Sequence, residues 1–157
     1  MRAFVQTLFA ILVLTLAVGA QAQTQQTSKY DKFTDETRVS VRYFHPIKGV
    51  NMEAKYRYKG QADRIVPPKS VELVFIVIGR NYFTEGMELF VLSDEKRLRF
   101  QSSDISENIL GVRIPFDKFE SLMAGKKIEM RLGTDNLSLS DSDLKALRDF
   151  LPQKIKP

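Results

Sequence analysis

Eight consecutive residues, Met52-Glu53-Ala54-Lys55-Tyr56-Arg57-Tyr58-Lys59, alternate apolar and charged side chains without a break. Successive side chains of an extended chain point to opposite sides. This run is therefore a β-strand with Met52, Ala54, Tyr56 and Tyr58 toward a core and Glu53, Lys55, Arg57 and Lys59 toward water. Thr37 to Tyr43 alternates in the same way, and the two runs read as antiparallel neighbours. Between them, Pro46 and Gly49 supply loop chemistry in the stretch 44–51.

The rest of the chain repeats the theme in short pieces. Gly60 to Lys69 carries Pro67-Pro68, which does not fit inside a sheet. Val71 to Ile78 is apolar on both faces after Glu72, as expected for a central strand covered on both sides. Met87–Leu92, Arg97–Phe100, Asn108–Ile114 and Lys127–Leu132 are further strand candidates, and Gly133 to Asn136 a tight turn into Leu137–Leu139. Two helices stand apart. Pro115 suits the first position of one, with Phe116, Phe119, Leu122 and Met123 on one face and Gly125 as its stop. The other starts at Ser140, with Asp141 and Asp143 in its first turn and Leu144, Leu147, Phe150 and Leu151 as its apolar stripe. The expected fold is mainly β: an antiparallel β-sandwich or barrel-like sheet of about eight strands with two short helices near the C-terminus.

The N-terminus has a different character. Met1-Arg2 precedes an apolar run from Leu8 to Val18, and Ala20-Gln21-Ala22 has the small-x-small pattern of a signal-peptidase site. A spanning anchor would need about 20 apolar residues with charged flanks. Gln6 and Thr7 interrupt this run, and no Lys or Arg follows until Lys29. The expectation is a signal peptide over 1–22 cleaved after Ala22, a polar leader over 23–35, one β-rich domain over 36–152, and a tail over 153–157. Export to the periplasm or the medium of a bacterial cell follows. The chain has no Cys, which excludes a lipid-modified cysteine, thiol catalysis and thiolate metal sites.

Catalytic chemistry finds little to use. His45, beside Pro46, is the one histidine, so no multi-histidine metal site can form. Paired carboxylates suited to glycoside hydrolysis reduce to Asp94 with Glu95, Asp104 with Glu107, and Asp141 with Asp143. These read as a hairpin turn, a loop and a helix N-terminus. Phosphate-binding glycine loops are absent, as is Trp for stacking on sugars. No catalytic residue, metal ligand or cofactor is expected. A small hydrolase built on His45 remains an alternative reading.

The constellation that carries weight is a basic sheet face. Arg38 and Arg42 on one strand, with Lys55, Arg57 and Lys59 on the next, project to one side if the strands pair, interrupted by Glu53. Together with a net charge of +5, this makes an anionic envelope polymer or another envelope protein the expected partner, and nucleic acid is not expected. Membrane contact is expected only through an uncleaved N-terminal segment. Tyr82 and Phe83 in a turn form a lesser candidate, as a partner anchor. A carrier of an apolar ligand, held between sheets around Phe75 and Phe90, is a further alternative.

The stretch Tyr30-Asp31-Lys32-Phe33-Thr34-Asp35-Glu36-Thr37-Arg38-Val39 resembles the opening of uncharacterised exported bacterial proteins, which carry Tyr-Asp-x-Phe-x-Asp-x-Thr-x-Val after the signal peptide. Leu137-Ser138-Leu139 leading to Leu144–Phe150 is similar to the ends of such proteins. The resemblance covers about twenty residues and implies export and a small β-rich domain. It implies no activity, cofactor or catalytic residue.

Overall fold

The alternating runs become strands of one antiparallel sheet in the computed structural model, which describes residues 25–47, 49–61, 67–78 and 82–152. In chain order these are β1 (Gln25–Asp31), β2 (Glu36–Ile47), β3 (Val50–Lys59), β4 (Ser70–Val77), β5 (Glu88–Ser93), β6 (Lys96–Ile105) and β7 (Ile109–Pro115), followed by helix α1 (Phe116–Met123). Strands β8 (Ile128–Leu132) and β9 (Asp135–Ser138) and helix α2 (Asp141–Phe150) complete the chain order. The expected signal peptide over 1–22 and tail over 153–157 lie outside the described residues.

Neighbouring strands run β1-β2-β3-β4-β7-β6-β5-β8-β9. The sheet is mainly sequential, with one crossover: β4 pairs with β7, and β5 lies two strands further on. β1 and β9 stand at its two ends, so this is one open sheet and neither a closed barrel nor two separate sheets. Both helices lie on its inner face. Tyr56 of β3 meets Phe150 of α2 with ring centroids 4.7 Å apart. Ser93 at the end of β5 donates to Leu122 O of α1 at 2.9 Å. Arg148 Nε donates to Met123 O at 2.9 Å, and its Nη2 to Gly125 O, tying α2 to the end of α1.

Alternation along β3 is realised as read: Met52, Ala54, Tyr56 and Tyr58 are buried, and Arg57 and Lys59 are exposed. Their inward neighbours on β4, Val71, Leu73 and Phe75, are wholly inaccessible and belong to the same core as Phe119, Leu147 and Phe150 of the helices. Burying a large side chain of this kind stabilises the fold by about 1.5–3 kcal/mol, which is why the helices pack against the sheet. Helix α2 is closed by a capping box. The Ser140 side chain accepts from Asp143 N, and Asp143 Oδ2 accepts from Ser140 N at 2.9 Å.

Several local expectations shift. Residues 25–31, read as part of a polar leader, form strand β1. Gln26 to Tyr30 are exposed on both sides, so no buried face marks the strand, and the ladder to β2 holds it. The stretch 44–51 read as a loop is strand on both sides of a short turn, with a register shift between Tyr43 and Ile47 that accommodates Pro46. Pro115 caps α1 and does not occupy its first turn. β4 is central, but a second layer covers only its inner side. On the outer side Val74, set between Glu53 and Gly111 of the neighbouring strands, is 6 % exposed.

Candidate anion-binding face

The register of β2 with β3 fixes what the outer face presents. Glu36 lies opposite Lys59, Arg38 opposite Arg57, Ser40 opposite Lys55, and Arg42 opposite Glu53. Arg38, Arg42, Lys55, Arg57 and Lys59 therefore share one side of the sheet, away from the core.

Carboxylates interleave more densely than the sequence suggested. Arg42 Nε is 3.4 Å from Glu53, Lys55 Nζ is 3.5 Å from Glu72 of β4, and Lys59 Nζ is 3.7 Å from Glu36. Exposed pairs like these contribute about 0–1 kcal/mol each, but they neutralise the local field. Arg38 and Arg57 are different: they face each other directly across the ladder. Lys29 of β1 lies opposite Arg38 on the other side. The result is a row of three cations, Lys29-Arg38-Arg57, crossing three adjacent strands, and none of them forms an ion pair among the described residues. Like charges placed opposite one another destabilise a sheet. The nearest compensation is electrostatic: Asp31 is held below the ordinary carboxylate value of 3.8, chiefly by the backbone N–H of Phe33, with Arg38 adding to it.

The row opens onto a groove of about 470 Å³ between β3 and the chain entering β4. Lys55, Arg57, Lys59, Lys69 and Arg113 line it, against the carboxylates of Glu36 and Glu72. Pro67 and Pro68 form a wall, because neither proline can continue a strand and the chain bends before β4 begins. Such a groove suits phosphate or carboxylate groups spaced along a chain. Arginine offers a planar fork to each, and lysine a mobile point charge.

Three members of this site escaped sequence reading. Lys29 sits on β1, where both faces are exposed and alternation carries no signal; the paired Asp31 and Asp35 around a short turn were the available hint of a hairpin. Lys69 and Arg113 reach the groove only through the order β3-β4-β7, which pairs residues far apart in sequence.

The remaining candidates separate. Phe83 is 7 % exposed and belongs to the core, with Tyr82 half-buried against it in an edge-on contact at 5.2 Å. The pair folds back over the core, which leaves little of it for a partner. Phe75 is buried on the inner face while Phe90 lies on the outer face between arginines, so the two do not line a common cavity. His45 falls within β2, and its side chain lies outside the described residues. Asp94 accepts from Lys126 N and Lys127 N at 3.1 and 3.0 Å, which holds its carboxyl below 3.8 and fully engages it in closing a loop. Among the described residues no group of His, Cys, Asp and Glu is arranged to hold a metal ion, and no helix is long and apolar enough to cross a membrane.

No protein-family model matches the chain, no curated protein matches it, and no solved structure matches its fold.

Proposed function

We propose that this chain is an exported, non-enzymatic β-domain of the bacterial envelope that binds an anionic partner through the outer face of β1, β2 and β3. The observation that carries this reading is the Lys29-Arg38-Arg57 row: three cations in register with no ion-pair partner among the described residues, beside a groove with Lys55, Lys59, Lys69 and Arg113 on its walls. A fold that keeps like charges opposed gives up some stability, and a bound anion recovers it. Export rests on the N-terminal sequence, with its apolar run and Ala20-Gln21-Ala22 site, and on the resemblance at Tyr30–Val39.

The test is retention of the protein on immobilised polyphosphate and on a bacterial envelope fraction, at low and high salt. Retention at low salt that is lost at high salt is expected. Arg38→Glu combined with Arg57→Glu should weaken it on the order of a hundredfold with little change in the thermal transition, because the two opposed carboxylates repel as the two arginines do. Arg42→Glu should matter less, since Glu53 already neutralises Arg42. Salt-independent retention, or a double variant that binds as well as the parent, overturns the reading.

A further inference from the structure

The turn between β1 and β2 holds an exposed phenylalanine in a fixed place. Phe33 is 89 % exposed and Tyr30, at the base of the same turn, 38 %. The turn itself is closely tied. Asp31 Oδ1 accepts from Phe33 N at 2.9 Å, the Tyr30 hydroxyl donates to Asp35 Oδ1 at 2.9 Å, and Lys59 Nζ donates to Thr34 O at 3.0 Å. Asp35 takes a left-handed φ of 51°, a conformation that aspartate tolerates better than most residues. Just behind it, Thr37 is buried and donates to Gly60 O at 2.6 Å, and Val39 enters the core. Each of these side chains closes the turn or packs the fold. Phe33 does neither: its one described contact is the Lys32 ammonium, 5.2 Å from the ring centroid.

Charge surrounds the ring in a definite order. Lys32 is beside it, and Lys59 reaches under the turn. The Lys29-Arg38-Arg57 row runs behind the turn, roughly 7 Å along the strands from the Asp31–Glu36 pair that ends the ladder. Three carboxylates lie among them. Asp31 and Asp35 are hydrogen-bonded inside the turn, and Glu36 pairs with Lys59, so cations remain in excess.

A protein interface needs about 800 Å² per partner, which a single ring on a narrow tip does not offer. A lipid interface asks for something else: an apolar or aromatic tip at headgroup depth, with Lys and Arg behind it to meet the phosphates. The geometry points to the β1–β2 turn as a docking tip for an anionic lipid surface, with Phe33 entering the interface and Lys32, Lys29, Arg38 and Arg57 contacting lipid phosphates. This rests on the anion-binding reading above and names its partner. It also departs from the sequence expectation that membrane contact would involve only the N-terminal segment.

The chain contains no Trp, so F33W in the full chain places a lone indole at the tip. Its emission is read with vesicles of phosphatidylcholine, alone or mixed with phosphatidylglycerol, and with brominated acyl chains as quenchers. The expected result is a blue shift and quenching with the anionic vesicles and little change with the neutral ones, which also controls for insertion of the apolar N-terminus. Adding Arg38→Glu and Arg57→Glu should remove the shift, and Phe33→Ser in the parent should weaken vesicle binding on the order of tenfold. Unchanged emission with anionic vesicles, or an equal shift on neutral ones, overturns the proposal. If the protein then still binds polyphosphate in a salt-sensitive way, the anion-binding reading survives without the lipid; if it binds neither, both fall.

Discussion

The two halves of the sheet treat crowded cations in opposite ways. On β6, β5 and β8, Arg99, Phe90 and Arg131 lie side by side in register, and the two guanidinium carbons approach the ring centroid to 5.8 and 4.7 Å. Glu88 also holds Arg99 at 2.6 Å and pushes its pKa up. Here an aromatic ring is interposed and one arginine has a carboxylate, so the repulsion is answered within the fold. On β1, β2 and β3 the corresponding row is Lys29-Arg38-Arg57, with no ring between the charges and, among the described residues, no ion-pair partner for any of them. Both faces are basic and both are outer faces. What separates them is whether the protein resolves its own charge, and an unresolved row is the better pointer to a ligand.

The largest effect that would sharpen this comparison comes from removing the ring that separates the arginines. Phe90→Leu keeps an apolar side chain of similar bulk and deletes the π face, so it should destabilise the domain by about 1 kcal/mol, the sum of two exposed cation–π contacts. Denaturant titration reads this directly. A Phe90→Leu variant as stable as the parent would mean that the ring does not screen Arg99 from Arg131, and the contrast between the halves would lose its physical basis.

A smaller effect of opposite sign is expected on the other half. Arg57→Gln removes one of two cations that face each other across β2 and β3, and it should raise stability by about 0.3 kcal/mol while weakening polyphosphate binding. Arg131→Gln serves as the counterpart and should lower stability, because it deletes the closer contact to Phe90. If both substitutions stabilise alike, the two rows are equivalent, and Lys29-Arg38-Arg57 has no special claim to a ligand.

The contrast also shows how far a sequence can be read. The faces of β3 were legible because alternation is a local property: Tyr56 and Tyr58 go inward wherever the strand is placed, so Arg57 and Lys59 must go outward. That β2 and β3 are neighbours was legible too, because a short connection between alternating runs makes antiparallel neighbours, but the register that sets Arg38 opposite Arg57 was not. Glu72 was not assigned to Lys55, since that contact needs β4 beside β3 in a particular register. The Arg99-Phe90-Arg131 row was further out of reach, because β8 joins β5 only after β6, β7 and α1 have intervened. β1 was missed for another reason. A strand exposed on both faces leaves no hydrophobic period to find, and only the turn chemistry of Asp31 and Asp35 marks it.

The smallest effect concerns the loops that support the two rows, and it is confined to acid. Asp31 closes the β1–β2 turn by accepting from Phe33 N, and Asp94 closes the approach to β8 by accepting from Lys126 N and Lys127 N. Both carboxyls are held below their ordinary value of 3.8, chiefly by those backbone donors. A carboxyl with a depressed folded-state pKa contributes stability that is complete above the unfolded value and disappears as pH falls through the folded one. The parent should therefore lose thermal stability progressively below pH 3.8. Asp94→Asn should be less stable at neutral pH and show a shallower acid decline, and Asp31→Asn should do the same more weakly. The two differ in a second readout. Asp31 fixes the tip that carries Phe33, so Asp31→Asn should also loosen the F33W response to anionic vesicles, whereas Asp94→Asn should leave that response unchanged. Equal responses in both variants would show that the turn's order has no part in docking, and would separate the exposed ring from the hydrogen bonds that hold it out.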